Sequence, residues 1–194
     1  MENNLHNSQV KSNQEVNKLI RDINDTNYLY WLGGFVEGEG SNTVTINVSE
    51  NFRYGVDIKP EFNVSQHVNG IGILNSFKEL FNAGYVGPKS GSENVYVYTL
   101  KGYNHMINLV IPFLQTYVQP YSGKTNEFNL FLEITTRCSQ GHNVDKEKLI
   151  AMLEFIYAQG KVGKGKERKR NLSNLLEIIN DKEGYFSRLN STSL

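Results

Sequence analysis

The twenty residues from Trp31 to Glu50, WLGGFVEGEGSNTVTINVSE, change their periodicity within a few positions. Up to about Gly38 the segment has helical length and apolar side chains on more than one side, which predicts a helix buried on several faces. After Gly40 apolar and polar residues alternate. One face carries Val44, Ile46 and Val48, and the other carries Thr43, Thr45, Asn47 and Ser49. A chain of this kind must therefore place a buried helix directly before a half-buried strand.

The glycines of this helix need an explanation, because each costs about 1 kcal/mol of helix propensity relative to alanine. Gly33, Gly34 and Gly38 lie within six residues of one another. Close approach of two helix backbones is the usual compensation for such a cost. We therefore expect this helix to contact another helix through its glycines.

The rest of the chain continues the pattern of strands and helices. A second alternating run follows the turn at ENFR, with Tyr54, Val56, Ile58, Phe62 and Val64 opposite Asp57, Lys59, Glu61, Asn63 and Ser65. GIGILNSFKELFNAG has helical spacing, and YVGPK and NVYVYTL are short strands joined by a Ser/Gly-rich turn. The order is that of an α+β fold with an antiparallel sheet.

Helices predominate in the last third of the sequence. One predicted helix, YNHMINLVIPFL, ends near Pro112, another begins after Lys124, and a third runs from about Val144 to Gln159. The segment NLSNLLEII is predicted to close the chain as a last short helix. We expect one domain over residues 25–194, preceded by a polar arm over residues 1–24 with a marginal helix.

Composition excludes several classes of protein. Cys138 is the single cysteine, which leaves no disulfide framework and no cysteine-based zinc site. No run of about eighteen apolar residues occurs, so we expect no membrane contact and an intracellular setting, in an organelle or a bacterial cytoplasm. Because 20 basic residues balance 20 acidic ones, bulk charge does not predict a general polyanion binder. Any contact with nucleic acid must come from local patches such as Lys161–Arg170, KVGKGKERKR.

The stretch LGGFVEGEG, from Leu32 to Gly40, resembles the signature of the LAGLIDADG homing endonucleases. That family places its motif on a helix immediately before a β-hairpin, in an αββαββα core, which is the order predicted above from periodicity. FNVSQ, AGYVG, IPFL followed by Lys124, and GKGKERKR resemble further segments of the family. The resemblance covers the chain from about Asn27 to Ile179 and implies a DNA endonuclease used in intron homing.

The second acid of the motif is the candidate metal ligand. A carboxylate at the C-terminal end of a helix faces the partial negative charge of the last carbonyl groups, and a divalent cation reverses the sign of that interaction. Glu39 and the Gly38 carbonyl would offer the hard oxygen ligands that Mg²⁺ prefers, with Ca²⁺ or Mn²⁺ as substitutes. From the residues alone, Glu37 and Glu39 are about equally well explained as a solvated helix end.

The resemblance implies roles for three further residues. Gln66 would orient solvent in the site, Lys124 would stabilise charge on the phosphate under attack, and Glu37 would be structural rather than a ligand. An exposed strand residue and a surface lysine at a helix start are the alternatives for Gln66 and Lys124. His67 is expected to be structural or adjacent to DNA, because no second histidine lies at ligand spacing.

A chain with one motif implies a homodimer, because two copies of the acid are needed to cut two strands. The residues expected at the dimer interface are Leu32, Gly33, Gly34, Phe35 and Gly38. The polar strand faces would read the major groove of double-stranded DNA. The residues expected to bind DNA are Thr43, Thr45, Asn47, Ser49, Asp57, Lys59, Asn63, Lys89, Asn94, Tyr96 and Tyr98, together with Lys164, Lys166, Arg168, Lys169 and Arg170 of the basic segment.

Two other functions fit the same fold. An RNA maturase would bind and stabilise its host intron RNA without hydrolysis, and a cleavage-inactive relative would bind DNA alone. Glu39, Gln66 and Lys124 favour the endonuclease, because binding alone does not require them.

Overall fold

A computed structural model describes residues 21–159 and 170–191 of the chain. The first helix, α1 (Thr26–Glu39), begins after Asp25, whose side chain accepts a hydrogen bond from the Asn27 N–H. It ends where the Gly40 N–H donates to the Val36 carbonyl, and strand β1 (Gly40–Val48) starts at once. A side chain at Gly40 would overlap the Val36 backbone, so this abrupt change from helix to strand requires glycine. The predicted boundary is confirmed.

The remaining elements follow in the predicted alternation of strands and helices. They are β2 (Val56–His67), α2 (Ile71–Phe81), β3 (Tyr85–Pro88), β4 (Val95–Lys101), α3 (residues 103–117), α4 (Thr125–Ser139), α5 (Lys146–Ala158), α6 (Leu172–Asn180) and α7 (Lys182–Ser191). The four strands form one sheet in the order β1-β2-β4-β3, with β3 antiparallel to β4. The α+β class with an antiparallel sheet is confirmed. Within the described ranges, no helix combines the length and the apolar character needed to cross a membrane.

Helix α3 does not end near Pro112, so that prediction is wrong. It consists of the α-helical turn Tyr103–His105, a π-helical segment Met106–Val110 and an α-helical end, Ile111–Tyr117. Proline lacks an N–H and normally breaks the ladder of backbone bonds in a helix. Here the Ile111 N–H donates to the Met106 carbonyl, five residues back, so Pro112 falls where the hydrogen-bonding pattern already changes.

A further helix, α7, follows α6, and the prediction that α6 closes the chain is wrong. The Asp181 side chain accepts a hydrogen bond from the Gly184 N–H at 3.1 Å. Arg188 joins the two helices by donating to Glu177 at 2.9 Å and to Asp181 at 3.1 Å. Because KEGYFSRLNS has only a weak apolar stripe, periodicity did not identify it.

The chain divides into two compact units. Of the described residues, the first comprises those up to Ser41, Asn63–Leu100 and Pro112–Ser122. Its core contains an aromatic cluster in which the Phe77 and Tyr98 rings stack at 6.0 Å and the Phe81 and Phe113 rings meet edge to face at 5.6 Å. Because aromatic rings are large, a few of them fill the core of this small unit and exclude water from it.

The second unit comprises Asn42–Phe62, Lys101–Ile111 and the described residues from Gly123 onward. Its core is mainly aliphatic and is made by β2 and helices α4, α5 and α6. The buried residues of this core are Val56, Ile58, Ile134, Cys138, Leu149, Met152, Leu153, Ile156, Leu175, Ile178 and Ile179. Val44, Ile46 and Val48 of β1 pack against it, which confirms the predicted apolar face of that strand. The expected arm over residues 1–24 lies mostly outside the described residues and stays a prediction.

Candidate active site

The motif helix ends on an exposed acid. Glu39 is the last residue of α1, and both it and Gly38 are exposed. Among the residues that the structure describes, the Glu39 carboxylate has no hydrogen-bonding or ion-pairing partner. The Val36 carbonyl accepts from the Gly40 N–H, and the carbonyl groups that follow it point out of the helix end, where a helix offers no further donors. Negative charge and carbonyl oxygen atoms therefore gather at this helix end, and the described residues place no cation against the Glu39 carboxylate.

This group of oxygen atoms fits a Mg²⁺ ion that takes most of its ligands from elsewhere. Mg²⁺ keeps several waters and is usually held by one or two carboxylates together with phosphate oxygens of the substrate. Glu39 and the Gly38 carbonyl supply that kind of donor. No group of three or more His, Cys, Asp or Glu residues in the described ranges could hold a metal by itself. A Mg²⁺ ion bound here would therefore need phosphate, or a second copy of the acid, to complete its ligands.

Glu37, the first acid of the motif, has a different environment. It is half-buried, and its Oε2 accepts a hydrogen bond of 2.8 Å from the Ser122 hydroxyl. A carboxylate with a donor in its own chain is already solvated by protein. This contact agrees with the expectation that Glu37 is structural.

Gln66 lies next to the end of β2, in the same unit as Glu39. Its Oε1 accepts a hydrogen bond of 2.7 Å from the His67 N–H. A side chain at Gly70 would lie 2.6 Å from the Gln66 Cγ atom, so the glutamine folds over the turn Val68–Gly70. With its oxygen engaged, the carboxamide has its two N–H donors for solvent or phosphate. His67 is exposed, and its Nδ1 accepts from the Asn69 N–H at 3.3 Å, which makes it a turn residue.

Lys124 lies in the second unit, immediately before α4. It is exposed, and its carbonyl accepts a hydrogen bond of 3.0 Å from the Phe128 N–H. An exposed ammonium group on a flexible stem can act as a point charge toward phosphate. The structure thus brings Glu39 and Gln66 into one unit and places Lys124 at the start of a helix in the other.

Polar side chains of β1 and of the first half of β2 lie in the second unit. Thr45 donates to the Lys59 carbonyl at 3.2 Å, and Asn47 lies 3.5 Å from the Thr45 hydroxyl. Thr43 is half-buried on β1, while Ser49, just beyond the strand, accepts from the Asn51 N–H at 3.2 Å. These hydroxyl and amide groups are the donors and acceptors that the sequence predicted for this face.

Asp57 is more enclosed than the other polar residues of β2. It accepts hydrogen bonds from Tyr103 at 3.3 Å and Asn143 at 3.4 Å, and it pairs with Lys59 at 3.4 Å. The Tyr103 hydroxyl also donates to the Ile58 carbonyl at 2.7 Å and accepts from Asn143 at 2.8 Å. Burial raises the pKa of the Tyr103 hydroxyl well above its ordinary range, and the nearby Cys138 and Asp57 raise it further. Asp57 is therefore a member of a structural hydrogen-bond network, and its predicted contact with DNA stays a prediction.

The predicted face of β4 is wrong. Tyr98 is fully buried, its ring stacks on Phe77, and its hydroxyl donates to the Ala83 carbonyl at 2.8 Å. Tyr96 lies on the same face by alternation and is half-buried. The tyrosine rings, counted as polar because of their hydroxyls, behave here as large apolar groups. Tyr98 is therefore not placed to read a DNA groove, whereas a DNA contact by the half-buried Tyr96 stays a prediction.

The opposite face of β4 carries the polar contacts. Thr99 donates to Asn63 Oδ1 at 2.8 Å, which places these two residues on one side of the sheet. Tyr85 pairs with Thr99 across β3 and β4, so it shares this side, and it is 53% exposed. Thr99 itself is buried, so Tyr85 is the exposed residue on this side that the sequence analysis missed. The signal that could have found it is the polar residue Asn63, which fixes the face once the pairing of β2 with β4 is known.

The turn between β3 and β4 carries two more predicted DNA-binding residues. Lys89 is exposed, and its N–H donates to the Val95 carbonyl at 2.8 Å. Asn94 is exposed with a φ of 57°, and its carbonyl accepts from the Val68 N–H at 2.7 Å. Arg170 is exposed, and its carbonyl accepts from the Tyr157 hydroxyl at 2.6 Å. The other basic residues, Lys164, Lys166, Arg168 and Lys169, lie outside the described residues.

The predicted dimer interface needs two corrections. Leu32 is fully buried in its own chain. Gly33 is buried as well, and a side chain there would overlap the Tyr117 backbone of the same chain. The close approach of helix backbones that the glycines predicted is thus made within the chain at Gly33. A side chain added at Gly34 or Gly38 would meet no atom within 4 Å, so these two glycines stay on the open face of α1 with the half-buried Phe35.

Comparison with known proteins agrees with the fold and with the motif. The sequence profile described as LAGLIDADG endonuclease matches residues 32–135, more than half of the chain. The chain belongs to the LAGLIDADG endonuclease family. The matched LAGLIDADG region includes the C-terminal half of α1, the four strands and most of α4.

Three LAGLIDADG relatives illustrate the similarity. The chain is 31% identical over 144 residues to DNA endonuclease I-CeuI of Chlamydomonas moewusii, a match over 72% of the chain and 65%, just under two thirds, of that protein. It is 27% identical over 151 residues to homing endonuclease I-ApeII of Aeropyrum pernix, covering 77% and 88% of the two chains. The structure of I-CeuI complexed with DNA superposes with a TM-score of 0.71 and 26% identity, over 89% of this chain and 90% of that one. Archaeal I-Vdi141I complexed with DNA gives 0.69 and 28% identity, over 79% and 94%.

Proposed function

We propose that this chain is a homing endonuclease that, as a Mg²⁺-dependent homodimer, cuts both strands of a long, partly palindromic DNA site. The observation that carries the proposal is the exposed Glu39 carboxylate at the C-terminal end of α1, without a partner among the described residues. A fold gains no stability from an acid placed there, because the helix dipole opposes it. A ligand of opposite charge explains the placement.

Glu39, Gln66 and Lys124 each have a separate role in the proposed hydrolysis. Mg²⁺, when bound by Glu39 and the Gly38 carbonyl, supplies Lewis acidity and neutralises charge on the phosphate. Gln66 would orient the attacking water through its N–H donors. The water oxygen forms a bond to phosphorus as the bond between phosphorus and O3′ breaks, the water gives its proton to bulk solvent, and O3′ takes a proton from solvent as it leaves. The Lys124 ammonium stabilises the negative charge that develops on the phosphate oxygens. The relatives complexed with DNA support this assignment of substrate.

The homodimer uses the open face of α1. Trp31 is 50% exposed and stacks with Phe35 at 5.5 Å, next to the open Gly34 and Gly38. Exposed aromatic rings beside glycines favour a close, apolar helix contact with a second copy. Each copy then contributes one Glu39, which matches the need for one acid per cut strand.

DNA lies against the polar side of the sheet. Thr43, Thr45, Asn47, Lys59 and Asn63 would contact base edges in the major groove, together with the exposed Tyr85. The basic segment around Lys164 and Arg168 would contact backbone phosphates, so affinity should fall as the salt concentration rises.

A cleavage assay tests the proposal. The substrate is the uninterrupted DNA obtained by joining the two sequences that flank the gene, and the control is the same DNA with its centre scrambled. We expect double-strand cutting that EDTA abolishes. We expect Glu39→Gln to reduce the cleavage rate at least about 1000-fold, a loss typical of removing a group that acts in the transition state, with DNA binding in Ca²⁺ unchanged.

The other outcomes identify the alternatives. Binding without cutting would indicate a cleavage-inactive DNA-binding protein. Tight binding to the host intron RNA, with no effect on DNA, would indicate a maturase. Double-strand cutting by the Glu39→Gln variant would refute the metal assignment.

A further inference from the structure

The first acid of the motif is joined to a distant segment of the chain. Glu37 Oε2 accepts a hydrogen bond of 2.8 Å from the Ser122 hydroxyl, and the two residues are 85 positions apart in sequence. Ser122 is the last residue of the first unit, and Lys124 follows it by two positions. The bond thus connects the motif helix to the residue from which the chain leads into Lys124.

The hydrogen bond completes a row of contacts along one face of α1. The Tyr30 ring meets the Tyr117 and Tyr121 rings edge to face, at 5.1 and 6.2 Å. Gly33, three residues further along α1, lies against the Tyr117 backbone. Tyr30, Gly33 and Glu37 share one helix face, because they are spaced by three and four residues. The segment from Tyr117 to Ser122 therefore follows the motif helix toward its C-terminal end.

We propose that Glu37 is a positioning residue that fixes, through Ser122, the origin of the Lys124 side chain. The inference rests on the proposed function, in which Lys124 stabilises charge on the phosphate. Two residues span at most about 7 Å, so the Cα atom of Lys124 is confined to a short distance from Ser122. Lysine is a long and flexible side chain, and its base is the part that the fold can fix. Since a displacement of about 1 Å can cost about 100-fold in rate, a fixed base matters for its action.

The assignment gives the two motif acids separate tasks. Glu39 is the exposed ligand at the helix end, whereas Glu37 faces the protein and holds a hydroxyl. A carboxylate suits this second task because its bond to a hydroxyl is stronger than a bond between neutral groups. The same spacing of two residues separates Glu37 from Glu39 and Ser122 from Lys124.

Single-turnover cleavage tests the proposal. We expect Ser122→Ala and Glu37→Ala to lower the cleavage rate about tenfold, with DNA binding in Ca²⁺ within about twofold of the parent, as expected for lost positioning rather than lost binding. Ser122→Thr keeps the hydroxyl and should restore the rate. Thr116→Ala is the matched control. It removes a hydroxyl that donates to the Pro112 carbonyl at 2.9 Å within α3, and this hydrogen bond does not involve Glu37.

A double-variant comparison shows whether the effect passes through Lys124. In a Lys124→Ala background, Ser122→Ala should cause no further loss of rate, because the positioned group is absent. A full tenfold loss in that background would overturn the proposal, since the hydrogen bond would then act independently of the lysine.

Limited proteolysis gives a measurement that does not depend on DNA cleavage. Trypsin cuts after lysine, so the rate of cutting after Lys124 in the free protein reports the mobility of this segment. We expect Ser122→Ala and Glu37→Ala to raise that rate several-fold, while cutting after the exposed Lys89 stays constant. Unchanged cutting after Lys124 would overturn the positioning role. A failed DNA assay with faster proteolysis would reject the proposed function and leave the structural role of Glu37 supported.

Discussion

Two acidic side chains, Glu39 and Asp57, have opposite environments in this protein. Glu39 lies exposed at the end of α1 and has no partner among the described residues. Asp57, with a side chain 17% exposed, accepts hydrogen bonds from Tyr103 and Asn143 and pairs with Lys59. In the first case the fold leaves a charge unbalanced, and in the second it surrounds a charge with donors.

The difference indicates what each residue is for. Buried polar groups in proteins are satisfied, because an unpaired one costs free energy. The Asp57 network follows that rule and contributes to the stability of the second unit. Glu39 has no such network among the described residues, which fits its proposed role as a ligand for a group outside the chain. Substitutions at the two positions should therefore separate stability from activity.

The largest stability effect is expected from Asp57→Ala. The substitution removes a charged acceptor, while Tyr103 keeps its hydrogen bond to the Ile58 carbonyl and Asn143 keeps its hydrogen bond to Tyr103. We therefore expect the free energy of unfolding to fall by about 1 kcal/mol, the net contribution of a hydrogen bond, rather than by the full cost of unpaired donors. Urea unfolding measures this change. Glu133→Ala is the control, because the exposed Glu133 pairs with Arg137 one helical turn away, at 2.7 Å. Pairs of that kind contribute about 0.5 kcal/mol or less, so equal losses in the two variants would contradict the network.

The orientation of β2 could be predicted from the sequence, and the orientation of β4 could not. The alternation of β2 was unambiguous, because Val56, Ile58, Phe62 and Val64 all differ in character from their polar neighbours. Strand β4 has apolar residues on both faces, so its orientation depended on whether the tyrosine rings or the valines faced the core. The packing of Tyr98 against α2 decides this, and no local signal in the strand reports it.

The motif helix shows the same limit. Gly33 and Gly34 are adjacent and identical, yet one is buried against Tyr117 and the other faces open space. Because α1 is apolar on several sides, periodicity established the helix but not the direction of each glycine. The Glu37 contact with Ser122 could not be foreseen either, since it joins residues 85 positions apart. The motif located the acids, and the tertiary structure distinguished their environments.

Alkaline pH offers a second test of the buried region around Asp57, through the nearby thiol of Cys138. Burial raises the pKa of the Cys138 thiol from 9.0 to about 12, and Asp57 adds to the shift. Below pH 9 the thiol is protonated in both the folded and the unfolded chain, so its contribution to stability is fully present. As the pH rises from 9 toward 12, the unfolded chain loses the proton first and folding becomes less favourable. Stability should then fall by about 1.4 kcal/mol per pH unit for this one group.

The measurement compares urea unfolding of the parent and of Cys138→Ala at pH 8, 9 and 10. The alanine variant is less stable at every pH because it leaves a small cavity. The informative quantity is the difference between the two chains, which should shrink between pH 9 and 10. A constant difference would show that the thiol titrates normally and that this part of the core admits water.

The smallest effect is expected at Glu39 itself, and its sign carries the information. Without DNA and with EDTA present, Glu39→Gln should raise the free energy of unfolding by about 0.3–1 kcal/mol, because it removes a negative charge from a helix C-terminus. Glu127→Gln is the matched control, since Glu127 lies in the first turn of α4, where the dipole favours an acid and the same substitution should destabilise. Urea unfolding at low ionic strength measures the free energy of unfolding of both variants and shows whether the two changes have opposite signs. A loss of stability at Glu39 would mean that the chain balances this charge by itself, and the contrast with Asp57 would disappear.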